Sequence, residues 1–162
     1  MVKPLSWNHY RQGGIDGLIL FRVTGHNYDR PPFTLHTSLP VGGSRWNSYK
    51  GQNVALTDLS TEKAAQAKAQ EVLEQFTATL EDGTITWTSG GPVRPTVGVV
   101  GGMNLFRIQR LPGRVLLRSR LPIAPGGVAQ GDLANVDAAK VKAAQMMEQF
   151  AHHVGLVYRP TS

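Results

Sequence analysis

The length and composition of this chain are those of an ordinary globular protein. Its 162 residues, 41% of them hydrophobic and 17% charged, suit one compact domain or two small packed halves and exclude a disordered chain. Cysteine is absent, which excludes disulfides, thiolate metal sites and a thiol nucleophile. No segment resembles a signal peptide or reaches the ~20 apolar residues of a spanning helix, so we expect a cytoplasmic or intravirion protein with no membrane partner.

The net charge of +6 is concentrated in one segment. Residues 1–83 carry eight basic and eight acidic residues, which cancel. Residues 84–131 contain no acid, and their basic residues are Arg94, Arg107, Arg110, Arg114, Arg118 and Arg120. Because a surface that only confers solubility normally mixes both signs, this all-arginine segment favours an anionic partner.

In chain order, the first half predicts four short strands followed by a helix. Alternation of apolar and polar residues predicts strands over residues 6–11, 18–24, 33–39 and 52–57. In the second of these, Phe21 and Val23 should face the core, with Leu20 and Arg22 on the opposite face. We expect the helix from about Asp58 to Leu80, with Thr61 or Asp58 as its N-cap.

The second half predicts the same plan with shorter connections. Strands are expected over residues 84–88, 105–108 and 115–121, and the Gly-rich run 98–102 is interpreted as a flexible hairpin connection rather than a phosphate loop. The chain should then pass almost directly to a second helix, near 135–154, that Gly155 ends.

The two helical segments repeat each other at an offset of 74 positions. The recurring residues are Asp58/Asp132, Leu59/Leu133, Ala64/Ala138, Ala65/Ala139, Lys68/Lys142, Ala69/Ala143, Glu74/Glu148, Gln75/Gln149 and Phe76/Phe150. Each copy also carries an apolar stripe at helical spacing, Ala65, Ala69, Val72, Leu73, Phe76 and Leu80 in the first and Ala139, Ala143, Met146, Met147, Phe150 and Val154 in the second.

These repeats predict an α+β fold that is internally duplicated. The pattern is ββ(β)βα twice, with antiparallel sheets and two helices related by a pseudo-twofold. We expect one compact domain built from repeats at about 5–83 and 84–156, with a C-terminal tail over 157–162. A single copy would leave one side of its sheet or helix uncovered.

Strand alternation also predicts an outward face rich in arginine. If Phe21, Val23, Phe106 and Ile108 face inward, then Arg22 and Arg107 face outward, and His36, Arg118 and Arg120 share that face. Arg110 and Arg114 flank the intervening turn, so four or five guanidiniums should lie on the exposed side of the second sheet. Arginine binds phosphate bidentately and stacks on bases, which predicts a nucleic-acid-binding surface.

A second candidate surface is the segment Arg45, Trp46, Asn47, Ser48, Tyr49 and Lys50, which has glycines on both sides. Aromatic side chains interleaved with cations suit stacking on unpaired bases, so Arg45, Trp46, Tyr49 and Lys50 are predicted to contact nucleic acid. The alternative is that Trp46 and Tyr49 pack beneath the loop as a small core of their own.

The element order resembles the single-stranded nucleic-acid binders of the Whirly and PUR type, in which each of two repeats gives a curved antiparallel sheet followed by a helix. Tyr49-Lys50-Gly51, followed by Ala55-Leu56, is also similar to the lysine-glycine motif of Whirly proteins, but its spacing differs and no residue role is carried over. The resemblance implies a protein that binds single strands with little sequence specificity.

The sequence therefore predicts a non-enzymatic protein that binds single-stranded DNA or RNA. No catalytic, metal-binding or cofactor motif is recognised, and the five histidines are interpreted as solvent-facing or packed side chains. The alternative is a structural or assembly protein, such as a virion or tail component or a protein-interaction module, and a homo-oligomer is compatible with either. An enzyme with a pocket between the halves ranks third.

Overall fold

A computed structural model describes residues 2–27, 29–40, 53–80, 82–89, 94–122 and 129–156. Within these residues the chain is α+β, and its elements follow the order βββββα twice. They are β1 (Ser6–Trp7), β2 (Gln12–Ile15), β3 (Leu18–His26), β4 (Arg30–Thr37), β5 (Asn53–Leu59), α1 (Glu62–Thr79), β6 (Thr86–Ser89), β7 (Thr96–Val100), β8 (Met103–Leu111), β9 (Arg114–Ser119), β10 (Ala129–Leu133) and α2 (Val136–Val154).

The strands form two antiparallel sheets, and each sheet is a meander in which consecutive strands pair. The first has the order β1-β2-β3-β4-β5, and the second has the order β6-β7-β8-β9-β10. The chain divides into two compact units, one comprising Met1–Ala78 with His153–Leu156 and the other comprising Thr79–His152. Each sheet belongs to one unit.

Each sheet carries the same β-bulge, in its third strand. Phe21 pairs with Gly13 whereas Ile19 pairs with Gly14, so Leu20 is an extra residue in β3. Phe106 pairs with Gly98 whereas Asn104 pairs with Val99, so Leu105 is the extra residue in β8. A bulge interrupts alternation, and the adjacent leucine and phenylalanine are both buried in each strand. The predicted placement of Leu20 on the outward face, beside Arg22, was therefore wrong.

A tryptophan on the first strand of each sheet covers a glycine on the second. Trp7 pairs with Gly13 and Trp87 with Gly98. A Cβ at Gly13 would lie 2.7 Å from the Trp7 ring, and one at Gly98 would lie 2.8 Å from the Trp87 ring. Only glycine leaves room for the indole at these two positions. On its other side, each glycine pairs with a buried phenylalanine of the third strand, Gly13 with Phe21 and Gly98 with Phe106.

Both helices begin at a side-chain cap. The Ala64 N–H donates to Thr61 Oγ1 over 3.0 Å, and the Ala138 N–H donates to Asn135 Oδ1 over 2.8 Å. Helix α1 therefore begins after Thr61 and not at Asp58, which lies in β5 with a φ of 60°. The predicted apolar stripes are buried in both helices, except that Val72 is half-buried.

Four strands differ from the sequence prediction. The first was expected over residues 6–11, but β1 comprises Ser6–Trp7 alone. Residues 12–15 form β2 and residues 96–100 form β7, and neither strand was predicted. Residues 129–133 form β10, where a direct passage to the second helix was expected. Of the predicted hairpin connection 98–102, only Gly101 and Gly102 form the turn, and both have positive φ values as a tight two-residue hairpin requires.

Candidate nucleic-acid interface

The polar face of the second sheet brings two arginines directly opposite each other. Arg107 on β8 pairs with Arg118 on β9, and the register between these strands is regular. Both side chains are half-buried, whereas the alternate residues Phe106, Ile108 and Leu117 are buried. The predicted outward positions of Arg107 and Arg118 therefore agree with the alternation of burial along the two strands.

The two arginines of this pair carry the same charge. Like charges directly opposite each other on neighbouring strands destabilise a sheet. In addition, the Nε atom of Arg107 is buried and has no hydrogen-bond partner among the described residues, and the same holds for Arg22 in the first sheet. A buried unsatisfied donor costs ~1–3 kcal/mol. Residues 84–131 contain no acid, and the one acid on the strands of this sheet is Asp132, in β10. An anion placed over the pair would offset the repulsion.

The first sheet has a related row of polar residues. Arg22 on β3 lies between Gln12 on β2 and His36 on β4, each directly opposite it on a neighbouring strand. His36 Nε2 and Thr24 Oγ1 are hydrogen-bonded over 2.9 Å. Partial burial, and secondarily the charge of Arg22, lower the pKa of His36 from its ordinary value of 6.5. The neutral imidazole is therefore favoured, and Arg22 supplies the charge of this row.

Arg120 lies just beyond β9 and is held by the backbone. Its guanidinium Nη1 donates to the Asn104 carbonyl over 3.3 Å, and its own N–H donates to the Leu105 carbonyl over 2.9 Å. Burial lowers the pKa of the Arg120 side chain from its ordinary value. In the first unit Ser38 makes matching bonds, from its hydroxyl to the Ile19 carbonyl (3.3 Å) and from its N–H to the Leu20 carbonyl (2.9 Å). Arg120 thus fastens the bulged strand, a contact that limits its reach toward a ligand.

The two arginines that flank the β8–β9 turn lie on opposite faces. Arg110 pairs with buried Val115 and has the parity of Ile108, so it lies on the core side of β8 at its exposed end. Arg114 has the parity of Arg118 and lies on the polar face. Both were expected on one outward surface, but the strand parity places only Arg114 there.

The predicted aromatic segment, with Arg45, Trp46, Tyr49 and Lys50, lies outside the described residues.

Sequence reasoning missed one exposed aromatic residue, Tyr10. It lies in the turn between β1 and β2, and it is the single Phe, Trp or Tyr that is exposed within the described residues, at 68%. Its ring lies 3.9 Å from that of His9, centroid to centroid. The signal was present in Asn8, because asparagine side chains stabilise tight turns by bonding to the backbone two residues on.

Within the described residues no group of three or more His, Asp or Glu side chains could hold a metal ion, and no helix there combines the length and apolarity needed to cross a bilayer. Comparison of the chain with protein-family models, with curated proteins and with solved structures found no match. The resemblance to Whirly and PUR-type proteins therefore rests on element order and on the short similarity at Tyr49-Lys50-Gly51.

Proposed function

We propose that this protein binds single-stranded nucleic acid with little sequence specificity, through the polar faces of its sheets. The observation that carries the proposal is the opposition of Arg107 and Arg118 on adjacent strands. Like charges on directly opposed residues disfavour a sheet, and a phosphate is a ligand whose geometry and charge suit both half-buried guanidiniums. Contacts of this kind position a backbone but do not read base identity, which is why low specificity follows.

We also propose that the two units are copies of one strands-then-helix repeat. The support is local and repeated: the same strand order, the same bulge before an arginine, the same tryptophan over a glycine, and helices with the same buried stripe. In this alignment Arg22 corresponds to Arg107 and His36 to Arg118. The second copy then has two permanent charges where the first has one, so we expect the second sheet to contribute more to binding.

The matched test compares Arg107→Met with Arg110→Met. Both substitutions remove one positive charge from the same strand, but they do so on opposite faces. A labelled single-stranded oligonucleotide, followed by fluorescence anisotropy at ~0.1 M salt, should bind Arg107→Met about fivefold more weakly than the wild type, which is the counterion-release contribution of one phosphate contact. Binding to Arg110→Met should change much less.

Equal losses in the two variants would show that net charge, and not this face, governs binding. Absence of binding by the wild type at low salt would remove the nucleic-acid proposal. The assembly protein would then be the preferred alternative, and sedimentation of the purified chain over a range of concentrations would test it.

A further inference from the structure

The turn between β1 and β2 is rigidly built around one side chain, that of Asn8. Its Oδ1 accepts hydrogen bonds from the backbone N–H groups of Tyr10 and Gln12, each over 3.0 Å. Its Nδ2 donates to Gln12 Oε1 over 3.1 Å, and its carbonyl accepts the Arg11 N–H over 3.0 Å. These bonds hold Arg11 at a φ of 61°, a conformation that a non-glycine residue adopts only when its surroundings fix it.

Tyr10 contributes only its backbone to this network. Its N–H is bonded to Asn8, while its side chain is 68% exposed and contacts the His9 ring at an interplanar angle of 40°. A large apolar ring held in water gains nothing from burial. Because the backbone of the turn is already fixed, a ligand that contacts this ring does not have to order it, which lowers the entropic cost of binding.

The turn is continuous with the polar row of the first sheet. The Arg11 carbonyl accepts the Val23 N–H over 3.0 Å, and Gln12, the next residue, lies directly opposite Arg22. Arg11 forms ion pairs with Asp29 and, over 3.5 Å, with Glu62, so its charge offsets part of the negative charge of these two neighbouring acids.

We propose that Tyr10 is a stacking platform for an unpaired base of the strand whose phosphates contact the Arg22 row. The inference rests on the proposed function and adds to it a base-contacting residue. Aromatic side chains stack on every base because each has a π-face, so a platform of this kind distinguishes single strands from duplexes without reading sequence. His9 backs the tyrosine ring on one side, and the other side of the ring receives the base.

The experiment uses the full chain and two probes of equal length and charge, an oligothymidylate and an abasic deoxyribose-phosphate oligomer, at one salt concentration. Tyr10→Ala should weaken binding of the oligothymidylate about five- to hundredfold and leave binding of the abasic oligomer unchanged, because the abasic oligomer has no base to stack. Tyr10→Phe should retain the wild-type affinity for both probes, because its ring still stacks. Val141→Ala, which shortens another exposed apolar side chain, is the control and should change neither.

Equal weakening of both probes by Tyr10→Ala, or weakening of neither, would overturn the stacking role and would leave the phosphate-binding proposal standing. If the wild type binds neither oligomer at low salt, both the proposed function and this inference are overturned. Because the Tyr10 side chain is exposed and its N–H survives substitution, thermal unfolding of the variants should match that of the wild type.

Discussion

Arg107 lies opposite a residue of its own charge, so the charge that we propose contacts phosphate also opposes folding at this position. The guanidinium lies opposite Arg118, and its Nε atom is buried without a partner among the described residues. The aliphatic stem of an arginine can nevertheless cover apolar surface while its head remains charged. The stem therefore favours folding at this site, and the charge opposes it.

We accordingly expect Arg107→Met to unfold at the same denaturant concentration as the wild type or a higher one. Methionine keeps a stem of similar length and removes both the repulsion and the unsatisfied donor, so the free energy of unfolding should rise by about 0.2–1 kcal/mol. Arg110→Met, at an exposed strand end, should change it by less than ~0.5 kcal/mol. A clear loss of stability in Arg107→Met would show that Arg107 has a stabilising partner, and the argument for an anion at this site would fail.

His36 gives a second test at the scale of one residue. Burial, followed by the Arg22 charge, holds the pKa of His36 below 6.5, so the unfolded chain binds this proton more tightly than the folded protein. Its contribution to stability is therefore complete above pH ~6.5 and is lost as the pH falls through the folded-state pKa. An NMR titration should place that pKa below 6.5, and Arg22→Met should raise it only part of the way, because the burial remains. A midpoint above 6.5 in the wild type would contradict the geometry.

Individual arginines were predictable from sequence only where the strand alternation was regular. Arg22, Arg107 and Arg118 lie on the expected face because each is next to a core residue in an unbroken ladder. Arg110 was predicted on the polar face because it flanks the turn, whereas its parity along β8 places it on the core side. The backbone bonds of Arg120 depend on a bulge in another strand, and the sequence has no signal for that pairing.

At the scale of elements, the β7–β8 turn lies against the end of α1. Gly101 has a φ of 55°, and a Cβ there would lie 1.5 Å from the Thr79 carbonyl oxygen, a backbone atom that cannot give way cheaply. Gly102 has a φ of 80° and nothing within 4 Å of its Cβ position. The two neighbours thus share the left-handed conformation, but only one is also sterically confined.

Gly101→Ala should therefore cost much more than Gly102→Ala. The second change carries only the left-handed penalty of about 1–2 kcal/mol. The first adds a clash with the backbone at the end of α1, so we expect the free energy of unfolding to fall by more than ~4 kcal/mol, as it does for the most destabilising substitutions. Chemical denaturation of the two variants measures the difference. Equal losses would mean that the end of α1 does not pack on this turn.

The helices were the most predictable elements, and the glycine-containing strands were the least. Six apolar positions at helical spacing and an Asn or Thr cap determine each helix locally. Strands β2 and β7 instead depend on a tryptophan from a neighbouring strand, which fills the space above Gly13 or Gly98. A single-strand pattern contains no information about that neighbour, so a glycine there looks like a breaker.

At the scale of the whole molecule, the first unit is assembled from segments at opposite ends of the described chain. The Lys3 N–H donates to the Val154 carbonyl over 2.9 Å, and His153 Nε2 donates to the Ile15 carbonyl over 2.5 Å. Val154 is fully buried. The last turn of α2 therefore belongs to the unit of the first sheet, a long-range pairing that helical periodicity cannot reveal.

The central claim is that the polar face carrying Arg107 and Arg118 contacts phosphates, and the salt dependence of binding tests it most directly. For a single strand, the logarithm of the association constant falls with the logarithm of the salt concentration by about 0.7 per phosphate neutralised. The double variant Arg107→Met/Arg118→Met should therefore have a slope shallower than that of the wild type by about 1.4, while Arg110→Met keeps the wild-type slope. A double variant with the wild-type slope, or an Arg110→Met variant that loses as much slope per charge removed, would contradict the account.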